Sequence, residues 1–403
     1  MHICKIYCIF ALKLQICYIV RIGIVGTTWP YRGGLAAFNE RLARQFMADG
    51  NEVEIFTFTL QYPDFLFPGK TQYSESPKPE DLSIQRTMNS INPFSWFKTA
   101  RAIRKARIDL IVIKFWIPLM APCLGTIARL CRRRGIRVVS ILDNVIPHEP
   151  HFWDKWLIRY FIRNVDRFIA MSESVKEDCL RFLPASRREA VSLSPHPLYD
   201  NFGEAVPKDE ARKILNLPAD KTILLFFGFI RDYKGLDLLM RAYAKTITNH
   251  QSPLANNFLL VVAGEFYNNG AQYSELEHEL GLEGKIAWHT DFIPDEKVRF
   301  YFSAADLIVQ PYKSATQSGV TQIAYHFEKP MLVTNVGGLA EIVPDGKVGY
   351  VCDVNENDVA DALRRFAAIE PKKRENLFRK NIQQEKQKYA WSQMTQKIYD
   401  NTK

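Results

Sequence analysis

The sequence predicts an α/β protein made of two doubly wound units in tandem. Short apolar runs alternate with stretches whose apolar residues recur at i, i+3, i+4 and i+7, the pattern of parallel strands joined by amphipathic helices. The alternation breaks once, in SPHPLYDNFGEAVPKDEARKILNLPADK, where four prolines and many charges mark a linker with a short helix. It then restarts, and 403 residues suit two domains.

In the first unit, Ile22–Val25 reads as a strand followed by the loop GTTWPYRGG. Leu35, Phe38, Leu42 and Phe46 share one face of a helix that Gly50 stops, and Glu52–Phe58 is the second strand. Asp109–Ile113 reads as a strand and Ala121–Arg134 as a helix ended by Gly135, which puts Arg132–Arg134 in a last turn where cations suit the helix dipole, with an anionic-lipid patch as the alternative. Ile136–Leu142, Arg167–Met171 and Ala190–Leu193 complete the unit.

In the second unit, Thr222–Phe227 is a strand, and Leu236, Leu239, Met240 and Tyr243 mark a helix. Phe258–Val262, Lys285–Trp288, Leu307–Val309, Met331–Val333 and Tyr350–Cys352 follow as strands. Gly319 opens a helix whose Val320, Ile323, Ala324 and Phe327 lie on one face, and Pro330 stops it. The expected divisions are an apolar extension over 1–20, a domain over 21–200, a second over 201–385 and a terminal helical segment over 386–403.

Composition narrows the function. Hydrophobic content of 47% and charge of 24% are those of an ordinary globular chain. Seven scattered cysteines with no CxxC pair argue against a zinc site or a disulfide framework and fit a reducing compartment. The net charge of +9 suits anionic lipid or anionic substrates; no nucleic-acid motif supports a nucleic-acid partner. The opening MHICKIYCIFALKLQICYIV carries Lys5 and Lys13 as its only charges. It reads as a disordered extension or a mis-assigned start, with a membrane-surface segment as the alternative.

Ligands of doubly wound sheets bind at the carboxyl ends of strands, and two such units facing each other form a cleft there. After the first strand come Gly33 and Gly34, just before a helix, where glycine lets backbone approach a ligand. After Phe227 comes GFIRDYKG. Gly228 frees the turn, and Arg231 and Lys234 read as neighbours on a first helical turn. Two cations there oppose the helix dipole and repel each other unless an anion lies between them, and a diphosphate meets that need. The helix start at Ser318, Gly319 and Val320 points free N–H groups at one spot, which also suits a phosphate. The bland alternative is solvated surface charge and an ordinary βα turn. Glu265 follows the strand ending VVAG, and Phe292 and Ile293 follow the strand ending at Trp288.

These residues resemble a family. GFIRDYKG, VVAGE, DFIPDEKVRFYFSAADLIVQPY and EKPMLVTNVGGLAEIVPDGKVGYV together look like the C-terminal half of glycosyltransferase family 4. Its members are retaining nucleotide-sugar transferases of the GT-B fold, with two Rossmann-like domains. The GG loop and DNVIPHE look like its N-terminal half, and the helix around Tyr389–Tyr399 resembles the segment that crosses back to the first domain. The resemblance implies that Arg231 and Lys234 hold the donor diphosphate and balance its leaving charge. It implies that Ser318, Gly319 and Val320 receive the same phosphates and that Gly33 and Gly34 close on the donor. By the same likeness Gly228 and Glu265 belong to the donor site, Phe292 and Ile293 flank the nucleobase, and His148 lies near the transferred sugar. A saccharide or lipid-linked saccharide acceptor for cell-surface polysaccharide is implied, at the inner face of the cytoplasmic membrane or in the cytoplasm. No cofactor is implied, and with no Asp-x-Asp at a strand end, no metal is expected.

One departure matters. The family usually has two glutamates with seven residues between them across the loop and helix around Gly319, yet Tyr312–Phe327 contains no Asp or Glu. Two alignment frames put Ala315 and Ile323, or Ser314 and Gln322, at those positions. Thr316, Gln317, Ser318, Thr321 and Gln322 remain as neutral hydrogen-bonding groups, with Gln322 a candidate for ribose hydroxyls. A double displacement needs a carboxylate nucleophile, so its absence weakens that route. A non-catalytic nucleotide-sugar-binding protein and a nucleotide-sugar epimerase of the same fold stay open.

Overall fold

The computed structural model describes residues 19–63, 71–147, 151–247, 257–267, 270–315 and 318–402. Expectations that fall on the apolar extension before Ile19, on His148 and on Thr316–Gln317 lie outside the described residues. Packing divides the chain into two compact units. One reaches to residue 169 and takes in 180–192 and 395 onward; the other comprises 170–179 and 193–394.

The first unit holds a seven-stranded sheet: β1 (Arg21–Val25), β2 (Glu52–Leu60), β3 (Ile84–Asn89), β4 (Leu110–Phe115), β5 (Arg137–Leu142), β6 (Arg167–Ala170) and β7 (Val191–Leu193), in the spatial order 3-2-1-4-5-6-7. The pairs from β3 across to β5 run parallel. Apolar β-branched runs such as LIVIKF in β4 are buried on both faces, as a helix-covered parallel sheet requires. Phe38, Leu42 and Phe46 of the helix Gly34–Ala48 are fully buried against it. β3 is not among the strands the apolar periodicity marks. It is an edge strand, IQRTMN, in which Met88 alone is fully buried. The helix expected to run to Arg134 ends at Arg132 instead. Arg132 keeps its expected place in the last turn, while Arg133 and Arg134 lie beyond it; Arg132 also pairs its Nε with Asp166 at 2.6 Å and donates to the carbonyl of Arg163.

The second unit holds a six-stranded sheet: β8 (Thr222–Phe227), β9 (Phe258–Ala263), β10 (Ile286–His289), β11 (Leu307–Gln310), β12 (Met331–Thr334) and β13 (Gly349–Cys352), in the order 10-9-8-11-12-13, every neighbouring pair parallel. Leu236, Leu239, Met240 and Tyr243 on the helix Leu236–Ile247, and Val320, Ile323, Ala324 and Phe327 around the helix Gly319–His326, enter its core. After the helix Pro371–Glu385 the chain enters the helix Trp391–Asp400. Trp391 donates its indole N–H to the carbonyl of Leu198 in the second unit. Tyr399 accepts from Asn51 at 2.8 Å in the first.

Candidate functional site

In each sheet the winding reverses once, between β1 and β4 and between β8 and β11. The loops that leave adjacent strands in opposite directions open a crevice at their carboxyl ends, the usual place for a ligand in such sheets. In the second unit those loops are 228–235 and the stretch that leaves β11, described over 311–315 and again from Ser318.

The first loop is shaped by glycine. Gly228 has φ +92°, and a Cβ there would lie 3.0 Å from the Lys234 Nζ. Gly264, at φ +138°, packs so closely that its Cβ would meet the Gly228 carbonyl oxygen at 2.5 Å. Glu265 is half-buried and contributes its carbonyl, which accepts from the N–H of Ile230 at 2.8 Å. The sequence placed Arg231 and Lys234 on the first turn of the following helix. They lie ahead of it. Arg231 is extended, Asp232–Lys234 form a separate 3-10 turn, and Gly235 at φ +68° ends that turn before the helix begins at Leu236.

The two cations differ in setting. The Arg231 guanidinium lies 3.8 Å from the centroid of the Tyr267 ring. Lys234 is 8% exposed, with its ammonium 5.7 Å from the centroid of the Tyr312 ring. Burial, and then the charge of Arg231, push the Lys234 ammonium down to about 8. The nearby carboxylates are engaged elsewhere: Lys313 binds Asp232 at 2.9 Å and Asp237 at 3.0 Å. Among the described residues, neither Arg231 nor Lys234 forms an ion pair.

The second loop is locked against the first. A Cβ on Gly235 would fall 2.1 Å from the Pro311 carbonyl oxygen, and the N–H of Lys313 donates to the Tyr233 carbonyl at 2.7 Å. Tyr312 is buried, and its hydroxyl stands 3.4 Å from Ser318 Oγ. Ser318 caps the helix Gly319–His326 by accepting from the N–H of Val320 at 3.2 Å. The Val320 amide is therefore engaged by the cap, and the free face of the helix start centres on Gly319. The Tyr199 ring covers that glycine, where a Cβ would come within 2.7 Å of the ring. Gln322 is fully enclosed, and among the described residues neither amide atom has a hydrogen-bond partner. Its amide is not presented to solvent, the position expected of a ribose partner.

Not all expected residues gather here. Phe292 and Ile293 line a cavity of about 450 Å³ with Trp288, His289, Leu217 and Tyr301, and neither Arg231, Lys234 nor Ser318 lines it. In the first unit, Gly33 precedes the helix Gly34–Ala48 with φ +99°, and both glycines are exposed. At the carboxyl ends of β4 and β5, buried Lys114 binds Asp143 at 3.0 Å and lies 3.1 Å from the centroid of the Phe38 ring. Burial pushes the ammonium down and the carboxyl up, and their mutual attraction opposes both. Neither this pair, nor Tyr267 beneath Arg231, nor Tyr199 over Gly319 stood out in the sequence. Asp143 alone had a signal, its place in DNVIPHE.

A buried ammonium, a stacked guanidinium and a glycine-led helix start at one switch point form a site able to hold an anion. Two parallel-sheet units of this order are the architecture of the GT-B glycosyltransferases. Residues 207–385 match the family described as glycosyl transferases group 1, and residues 32–192 match glycosyltransferase family 4. The chain is 30% identical to a D-inositol 3-phosphate glycosyltransferase of Streptomyces avermitilis over half of this chain and 44% of that protein. It is 28% identical to a lipopolysaccharide 1,2-N-acetylglucosaminetransferase of Salmonella typhimurium over 60% of this chain and 62% of that one. The chain thus spans less than two thirds of these curated relatives. Among solved structures, sucrose-phosphate synthase from Thermosynechococcus elongatus superposes with a TM-score of 0.68 at 20% identity, covering 94% of this chain and 98% of that one. Anabaena HepE, solved in complex with UDP, does so with 0.70 at 16%, covering 95% and 99%. The chain thus carries a family 4 domain followed by a group 1 domain, the domain pair of a family 4-type glycosyltransferase.

Proposed function

We propose that the protein transfers a sugar, with retention of anomeric configuration, from a nucleotide-sugar donor to a saccharide or lipid-linked saccharide. The reading rests on Lys234, a buried ammonium that has no carboxylate partner among the described residues, held beside Arg231 at the switch point of the second sheet. The donor's diphosphate is the anion such a pair requires. UDP in the complex of a structural relative is consistent with that class of ligand.

As the bond between the anomeric carbon and the phosphate oxygen breaks, its electron pair leaves with the phosphate. Arg231, Lys234 and the helix start at Gly319 stabilise the charge that develops there, the largest single contribution such a site makes. The acceptor oxygen bonds to the anomeric carbon on the face the phosphate is leaving, and its proton passes to the departing phosphate oxygen. Retention follows without a carboxylate nucleophile, which suits a stretch lacking Asp and Glu from Tyr312 to Phe327. Transfer of radiolabelled sugar from UDP-, GDP- and ADP-sugars to a pool of saccharide and lipid-linked acceptors, with the product's anomeric configuration read by NMR, tests this. Inverted product, or transfer that is unaffected in Arg231→Ala/Lys234→Ala, overturns it.

The acceptor we assign is a lipid-linked saccharide of cell-surface polysaccharide synthesis, met by a peripheral protein at the inner membrane face. The basic balance of the chain and the exposed Trp153 and Trp156 favour it. No described helix is long and apolar enough to cross a membrane. Full activity on soluble acceptors with no dependence on lipid would remove that part. The missing glutamate pair favours a second reading, a nucleotide-sugar-binding protein without turnover. Tight donor binding with no transfer to any acceptor would select it.

A further inference from the structure

Three consecutive crossover helices of the first unit, Pro93–Lys105, Ala121–Arg132 and Asp154–Arg163, lie side by side, the middle one packing on both others. They carry four, two and three Lys or Arg respectively and one carboxylate, Asp154. That carboxylate is buried and accepts from the N–H of His151 at 2.7 Å. The outer face of the three helices is therefore cationic with no exposed acid.

The apolar exposure on the same helices is concentrated at one end. Each helix follows a strand of the parallel sheet, so its N-terminus stands at the carboxyl edge of that sheet. There Phe94 is 85% exposed, Phe97 57%, Phe152 77% and Trp156 65%. Aliphatic Ile91 and Leu119 are exposed at the same edge. Phe152 makes edge-on contacts with Trp153 at 4.6 Å and Trp156 at 6.4 Å, so the rings form one group. Lys98 and Arg101 on one helix, and Lys155 and Arg159 on another, are exposed on and just beyond the turns that carry these rings.

We infer that this edge is a docking surface for an anionic lipid bilayer, with the rings of Phe94, Phe97, Phe152 and Trp156 in the headgroup region and the flanking cations on lipid phosphates. The inference rests on the peripheral-membrane part of the functional reading and not on the donor site. Aromatic tips with a surrounding basic face are the composition of interfacial anchors. The exposed Ile91 and Leu119 favour a bilayer over nucleic acid, because aliphatic groups gain from hydrocarbon and offer nothing to stacked bases. Charge complementarity selects anionic over neutral lipid. The placement also sets the bilayer at the carboxyl edge of this sheet, where doubly wound folds take their ligands.

The test is cosedimentation of the full chain with phosphatidylcholine vesicles, with and without phosphatidylglycerol, at low and high salt. Binding is expected only with phosphatidylglycerol, weakening with salt. Lys98→Glu/Lys155→Glu and, separately, Phe94→Ser/Trp156→Ser are each expected to weaken it at least about ten-fold. UDP or GDP affinity measured on the same samples is expected to stay unchanged, which separates failure of this surface from failure of the donor site. Absence of binding to the anionic vesicles, equal binding to neutral ones, or full binding by both variants overturns the proposal. So does tighter retention on single-stranded RNA than on the anionic vesicles.

Discussion

Replacing Lys234 with Met separates a ligand-facing cation from a structural one. A structural lysine stabilises the fold through a partner, and removing it destabilises. Lys234 is instead buried beside a like charge, its ammonium pushed from 10.5 down to about 8. That difference corresponds to roughly 3 kcal/mol by which the unliganded fold disfavours the charged form relative to the unfolded chain. Met fills a similar volume without charge, so Lys234→Met should raise the stability of the ligand-free protein by about 1–3 kcal/mol, a few degrees in Tm. The sign with pH follows from the depressed value. The destabilisation is complete below about 8 and fades as pH rises to about 10.5, because the folded form sheds its proton first. The stability gap between wild type and variant should therefore close across that interval. Donor affinity should move the opposite way, falling about ten- to a hundred-fold for the loss of one charged hydrogen bond to phosphate. Scanning fluorimetry across pH and calorimetric titration with UDP, GDP and ADP supply both readouts. A variant clearly less stable than wild type at neutral pH, or one with nucleotide affinity intact, would refute the reasoning.

Further outcomes follow from other contacts. Arg231→Ala/Lys234→Ala is expected to abolish detectable nucleotide binding while leaving the circular dichroism spectrum unchanged. Gly264→Ala drives a Cβ to within 2.5 Å of the Gly228 carbonyl oxygen at φ +138°, so a loss of about 2 kcal/mol or more should appear in urea unfolding. Lys114→Met leaves Asp143 without the ammonium now 3.0 Å away, and a loss of about 3–5 kcal/mol is expected, with Lys114→Met/Asp143→Leu recovering most of it. Transfer activity is expected to survive EDTA, since the chemistry assigned to Arg231, Lys234 and the helix start supplies the positive charge; an activity restored only by divalent cation would contradict that assignment.

The chain's own pattern determined the α/β class, the break between the two alternating halves and the core strands, because a parallel sheet buried on both faces must be written in continuous apolar runs such as LIVIKF and TILLFF. It also marked Gly228, Arg231, Lys234 and the helix opening at Gly319, since turn glycines and clustered cations are local features. β3 escaped notice because an edge strand buries little, and its IQRTMN shows no clean alternation. The placement of Arg231 and Lys234 on a helix failed because Gly235 ends their turn one residue too early. Only the tertiary structure decided that β8 and β11 are neighbours, which brings loops some eighty residues apart in sequence to a single point. Strand order is a long-range property that no local periodicity carries. The same holds for the Tyr267 ring beneath Arg231, the Tyr199 ring over Gly319, and Lys234's burial beside a like charge. Each depends on which distant segments the sheet brings together, and that burial is what sets Lys234 apart from an ordinary surface lysine.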